Sequence, residues 1–167
     1  VSGAENLLAV KGGTVLKFTA KPQRGYKLHN WIVNGAAISN KSETYNCTAN
    51  GNMEVSAAFI EKDSRTVAVS TADGSYAKLE FTIDDVDYTE EYVDGKVKLY
   101  EGETLTVAAT PRTNDMIAGW RIDNVYNTSY ERSYTVKYSG SNTVQKVEVV
   151  TQSMFNNKIE FAAKYEG

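Results

Sequence analysis

One cysteine, two prolines and one histidine in 167 residues set the first limits on this chain. The lone Cys47 forms no internal disulfide and builds no thiolate zinc site. So few prolines, beside twelve glycines, exclude a collagen-like or proline-rich disordered chain. No apolar run approaches the ~20 residues of a membrane span, so no part of the chain is expected to insert in a membrane. The chain opens at Val1 with no apolar signal core, and it reads as excised from a longer protein with any export signal outside it.

Charge of one sign is also missing over most of the length. Residues 1–62 carry seven Lys/Arg against four Asp/Glu, residues 63–102 four against ten, and residues 103–167 seven against seven. No stretch forms the dense basic face that phosphate neutralisation requires, so nucleic acid is not expected as a partner. No glycine-rich loop precedes a helix to cradle a phosphate, and no cofactor is expected.

What the chain does have is tyrosine, eleven copies against five Phe and two Trp. With abundant Val and Thr, this composition suits pleated, half-buried strands. It also has a repeat. Gly13-Thr-Val-Leu-Lys-Phe-Thr-Ala-Lys-Pro22 and Gly102-Glu-Thr-Leu-Thr-Val-Ala-Ala-Thr-Pro111 superimpose at an offset of 89 residues. The same offset, with no gap, places Trp31 on Trp120 and Tyr45 on Tyr134, and the two tryptophans are the only ones in the chain. Matched positions such as Trp31/Trp120, Pro22/Pro111 and Tyr45/Tyr134 are therefore expected to be structural core. The closing strand is matched as Val55–Phe59 with Phe161–Tyr165, an offset of 106, which implies 17 added residues around 139–157. Run backwards, the 89-residue offset matches residues 66–89 to positions before Val1. The expected organisation is thus module 1 over 1–62, N-terminally incomplete, and module 2 over 63–167 with the insertion.

The pattern Gly-x-x-(apolar)-x-(apolar)-x-Ala-x-Pro, then Gly25-Tyr26, Trp31-x-Val33-Asn34-Gly35 and Ala57-x-Phe59, resembles the divergent internalin-type B-repeats of bacterial surface proteins. The resemblance covers nearly all of 7–60 and, more loosely, 66–165. The second copy departs from it, with Asn114-Asp115 for Gly-Tyr and Asp123-Asn124 for Asn-Gly. The resemblance implies small β-rich modules, β-grasp-like in the better-known relatives, strung along secreted or wall-anchored proteins. It implies adhesion, spacing or ligand presentation, and carries no catalytic residues.

The residues point to β structure independently. Leu16, Phe18 and Ala20 fall on one face of an alternating stretch, as do Leu105, Val107 and Ala109. Pro22 and Pro111 end these stretches, because proline donates nothing to a ladder. Asn34-Gly35, Asn50-Gly51, Asp73-Gly74 and Asp94-Gly95 are turn signals. Strands are expected near 14–20, 27–33, 43–48, 53–60, 65–71, 76–83, 96–100, 104–109, 116–123, 131–138, 143–150 and 158–165. Residues 84–94 read as a short helix or a loop. The expected fold is mainly β: two tandem small modules, β-grasp-like or small β-sandwich, with little helix.

Three constellations bear on chemistry. His29 and Cys47 are the sole acid–base and thiol pair, but their counterparts at the 89-residue offset are Ala118 and Val136, which argues against a dyad. Asp84, Asp85 and Asp87 begin an acidic run that ends at Asp94. They are weak candidates for calcium, a cation that takes six to eight oxygen ligands, and a solvated acidic loop is favoured over a metal site. Tyr126, Tyr130, Tyr134 and Tyr138 are spaced so that the last three would share a face of one strand. Only Tyr134 has an aromatic counterpart in the first copy, which leaves Tyr126, Tyr130 and Tyr138 as candidates for a binding face. Ordinary cross-strand packing is favoured over that face.

The expected function is non-catalytic: an adhesive or spacer repeat of a bacterial cell-surface or secreted protein. The alternative is a carbohydrate-binding accessory module of a secreted enzyme. The partners these readings imply are a cell-surface glycan, or a host or partner protein.

Overall fold

The computed structural model describes residues 9–92 and 94–154. The chain divides into two compact units, Val1–Lys62 and Asp63–Gly167. Both are built from short strands, and the only helical elements among the described residues are two 3-10 turns, Thr89–Glu91 and Gly140–Asn142. The fold is mainly β.

In the first unit, β1 (Val15–Thr19) pairs antiparallel with β4 (Thr44–Thr48). A second sheet has β2 (Tyr26–Val33) at its centre, flanked by β3 (Ala36–Ile38) and β5 (Val55–Glu61). Side chains alternate across a strand, so Phe18 and Tyr45 share one face of the β1–β4 pair and meet Trp31 from β2. The Trp31 ring lies 6.5 Å from Phe18 and 5.7 Å from Tyr45. Trp31 is buried, with Ala20 and Ala49, while Leu16, Phe18, Leu28, Cys47, Val55 and Ala57 are half-buried.

The described residues of the second unit form nine strands in two sheets. The first sheet runs β13 (Ser133–Lys137), β10 (Thr104–Pro111), β7 (Ala77–Ile83) and β8 (Val86–Asp87). The other runs β12 (Val125–Asn127), β11 (Asp115–Ile122), β14 (Lys146–Ser153), β6 (Ser64–Thr71) and β9 (Lys96–Tyr100). All pairs are antiparallel except β14 with β6. One core joins both sheets. It holds Val67, Val69, Phe81, Ile83, Val97, Leu99, Leu105, Val107, Trp120, Val136, Val147 and Val149. This is a small β-sandwich.

Turn chemistry explains the hairpins. Asn34-Gly35 takes φ of 48° and 77°, and Asp123-Asn124 takes 46° and 68°. Asn and Asp tolerate this left-handed region better than other non-glycine residues, so the departure of Asp123-Asn124 from Asn-Gly keeps the turn. These two turns deliver β3 and β12, three-residue strands that the alternation did not reveal. Asn114, with φ of 72°, likewise does the work of Gly25, at 85°.

Two expectations are corrected. Lys146–Ser153 lies inside the span 139–157 read as an insertion, yet it is a full strand on β11. Its pairing runs from Asp115–Ser153 to Ile122–Val147, as β5 pairs with β2 from Tyr26–Glu61 to Val33–Val55. β14 therefore corresponds to β5 at an offset of 92, three residues beyond 89, and the three are taken up at the Gly140–Asn142 turn. Phe161–Tyr165 and the strand expected at 158–165 lie outside the described residues. Residues 84–92 agree with the reading of a short helix or a loop: Asp84 and Asp85 are the positive-φ turn of the β7–β8 hairpin, and a 3-10 turn follows. Pro22, in the connection between β1 and β2, and Pro111, the last residue of β10, are half-buried instead of sitting in a core.

Candidate functional site

The tryptophans are fully engaged. Trp31 and Trp120 are 3% and 1% exposed. Trp31 Nε1 donates to the Ser42 carbonyl at 2.8 Å, and Trp120 Nε1 to the Glu131 carbonyl at 3.0 Å. The acceptors, like the donors, are 89 residues apart. Each indole also packs on a tyrosine, Trp31 on Tyr45 at 5.7 Å and 32°, Trp120 on Tyr134 at 5.9 Å and 33°. Both tyrosines are half-buried. Neither indole presents a face to a ligand.

The tyrosine series does not share one strand. Tyr130 stands in the loop between β12 and β13, 65% exposed. Tyr138 follows the end of β13 and donates its hydroxyl to Asp63 Oδ2 in a short hydrogen bond. That bond holds the Asp63 carboxyl below its ordinary range and pushes the Tyr138 hydroxyl above its own. Tyr126 lies on β12, in the other sheet, and donates to the Ala118 carbonyl at 2.8 Å. Ala118 is the bulged residue of β11, where the register slips between Ile117 and Gly119. A bulge leaves a backbone group off the ladder, and the Tyr126 hydroxyl satisfies it. Tyr126 and Tyr138 are thus tied into the unit through their hydroxyls, Tyr126 while still 48% exposed, and Tyr130 is the most exposed of the three candidates.

The acidic run is likewise occupied by backbone. Asp84 Oδ1 accepts the Thr104 N–H at 3.0 Å, and Asp87 Oδ1 accepts the Thr89 N–H at 2.8 Å. The bonds from Thr89 hold the Asp87 carboxyl below its ordinary range. Asp84, Asp85 and Asp87 are all exposed, and among the described residues no three His, Cys, Asp or Glu side chains gather as a metal shell would require. His29 is exposed at the matching bulge of β2, and the Cys47 thiol faces Met53 Sδ at 3.8 Å. No dyad forms.

One feature escaped the sequence. An open depression of about 620 Å³ lies at the end of the β7–β10 ladder, where Ala77 pairs with Pro111, lined by Thr71, Tyr76, Lys78, Thr110 and Arg112 among others. Tyr76 is exposed, and the Arg112 guanidinium lies 4.3 Å over its ring. Asp115 fixes that guanidinium, with Oδ2 2.6 Å from Nε. An aromatic ring backed by a positioned cation is a surface that could stack on a planar or cyclic group. The signal was faint: Arg112 follows Pro111 where Gln23 follows Pro22, and nothing in the sequence links it to Tyr76.

Among the described residues of the first unit the features are strands, turns and the tryptophan plug, which makes its family a question of architecture. Residues 1–63 match the divergent InlB B-repeat domain. The B-repeat family points to a bacterial surface repeat module. No curated protein and no solved structure matches the chain. No helix among the described residues is long and apolar enough to cross a membrane.

Proposed function

We propose that the chain is a non-catalytic part of a bacterial cell-surface or secreted protein, made of two copies of one B-repeat module, and that it acts as an adhesive or spacer element. The observation that carries this reading is the recurrence of one bonding scheme at a constant offset. The indole bonds of Trp31 and Trp120 recur 89 residues apart, and so do the bulges at His29 and Ala118. The backbone bonds Ala20 N–H to Glu43 and Ala109 N–H to Arg132 follow the same rule. Asn34 Oδ1 accepts the Glu54 N–H at 2.9 Å, and Asp123 Oδ1 accepts the Lys146 N–H at 2.8 Å, the acceptors again 89 residues apart and the donors 92, because three residues are added before β14. A chain that assigns its distinctive side chains to repeated architecture is suited to extension and presentation.

The adhesive and spacer forms differ in whether a ligand exists. Binding of the intact chain to an array of glycans and to immobilised surface proteins separates them. Binding that Tyr130→Ala or Arg112→Ala abolishes supports the adhesive form. No binding above background, with loss of reach when the segment is deleted from the surface protein, supports the spacer form. Turnover of any hydrolysable glycan in the same assay would overturn the non-catalytic reading. The exposed Tyr130 and the Tyr76–Arg112 pair favour a second reading, a carbohydrate-binding accessory module, which the glycan arm tests directly.

A further inference from the structure

The two units differ in how well they cover matching residues. In the second unit Leu105, Val107, Ile117, Val136, Val147 and Val149 are buried. Their counterparts Leu16, Phe18, Leu28, Cys47, Val55 and Ala57 are only half-buried. The cause is visible in the sheets. β7 lies on the free edge of β10, and β6 lies parallel on the free edge of β14, with β9 beyond it. These strands bring Val67, Val69, Phe81, Ile83, Val97 and Leu99 into the core. Among the described residues of the first unit, β1 pairs only with β4 and β5 only with β2. Phe59 and Ile60 on β5 are each 41% exposed.

The direction from which cover would come is also marked. The Thr14 N–H bonds to the Lys11 carbonyl at 3.1 Å, as the Glu103 N–H bonds to the Tyr100 carbonyl at 3.0 Å. Gly13 and Gly102 take φ of 83° and 90° in these turns. The turn that carries β9 into β10 therefore also leads into β1. Ahead of it, Val10 is 37% exposed where its counterpart Leu99 is 0%.

We propose that the open face of the first unit is a strand-docking surface, filled in the mature protein by a segment of the same polypeptide patterned like Ser64–Leu99 and entering through the Lys11–Thr14 turn. This rests on the reading of the two units as one module. The incoming segment would add an antiparallel strand to β1 and a parallel strand to β5, completing two sheets whose edges are otherwise open to unwanted pairing. The module boundary then falls before that segment, so the covering strands belong to the same module as β1 to β5, as β6, β7 and β9 belong to the second unit.

Cys47, the only thiol, reports on the face. In the test, residues 63–98 replace residues 1–9 ahead of Val10, keeping the 89-residue frame. The rate of thiol alkylation at Cys47 and amide exchange along Val55–Ala57 are compared with the unaltered chain. Docking predicts that both slow at least tenfold, and that Val67→Asp with Val69→Asp in the grafted segment restores the original rates. A folded graft with unchanged rates overturns the proposal. Exchange of the two indole protons separates the possible failures. If the Trp31 proton is protected like that of Trp120, unchanged rates reject docking alone; if it exchanges at once, the module reading fails as well. Should the graft not fold, alkylation of Cys47 is compared with that of a Val136→Cys chain carrying Cys47→Ser. Position 47 reacting at least tenfold faster supports an open face, and equal rates overturn it.

Discussion

The ring of Tyr126 lies directly over Gly119. A Cβ at Gly119 would meet Tyr126 Cε2 at 2.7 Å and the Asn127 carbonyl oxygen at 2.5 Å. The second contact is with backbone, so the clash cannot be relieved by a rotamer. At the matching positions of the first unit stand Asn30 and Ala37, a larger residue paired with a smaller one. Gly119→Ala is therefore expected to destabilise the second unit by ~1–3 kcal/mol, the usual penalty of overpacking. Urea denaturation followed by Trp120 fluorescence checks this. A midpoint unchanged from the parent would refute the packing assigned to Tyr126.

Each unit holds one tryptophan, so each can report its own unfolding. A Trp31→Phe chain leaves only Trp120, and a Trp120→Phe chain leaves only Trp31. Both changes delete an indole N–H bond to the carbonyl of an exposed residue, Ser42 or Glu131, a loss of ~0.5–1.5 kcal/mol. Truncation of either buried ring to alanine is expected to cost ~3–5 kcal/mol. The more sharply covered second unit is expected to melt at the higher denaturant concentration. Coincident transitions in the two single-tryptophan chains would refute this difference.

Much of the fold can be read from single residues. The alternation of Leu105, Val107 and Ala109 gives β10 its buried face, and all three are buried. Dipeptides such as Asn34-Gly35 fix hairpins because few residues accept positive φ. The register of β14 was not legible, because residue identity drew the match to Phe161–Tyr165. What sets that strand is its ladder with β11, anchored where Asp123 Oδ1 accepts the Gln145 and Lys146 N–H groups. Nor was the engagement of Tyr126 legible. An aromatic on a short strand reads as a platform until the glycine and the bulged carbonyl across the ladder are placed. The half-open core of the first unit depends on which strands lie beside β1 and β5, and no local pattern carries that.

The bond between Tyr138 and Asp63 makes a pH-dependent contribution of two signs. Asp63 is lowered chiefly by Tyr138, so its stabilisation is full above the ordinary carboxylate value of 3.8 and is lost as pH falls through its folded value. Tyr138 is raised chiefly by Asp63, so its stabilisation is full below the ordinary value of 10.0 and is lost as pH rises through its folded value. Ultraviolet titration of tyrosinate should show a late-titrating hydroxyl that is missing in Tyr138→Phe. Asp63→Asn should bring it back toward the other tyrosines. A titration identical in the parent and Asp63→Asn would refute the coupling.

The acidic run of the β7–β8 hairpin is expected to act through backbone bonds and not through a cation. Asp84 closes the hairpin onto β10 twice, its carboxylate accepting the Thr104 N–H and its own N–H donating to the Thr104 carbonyl at 3.0 Å. Asp84→Asn keeps an acceptor oxygen and the tolerance for positive φ, so it should leave stability nearly unchanged. Asp84→Ala removes the acceptor and places a Cβ-only side chain at φ of 48°, which should destabilise by ~1–2 kcal/mol. Calcium at millimolar concentration should not shift the melting temperature of the parent, because the Asp84 and Asp87 carboxylates are each bonded to a backbone N–H and no three acidic side chains among the described residues gather as a metal shell. A calcium-dependent rise that vanishes in Asp84→Asn would show that the carboxylate charge matters and would assign the run to a cation after all.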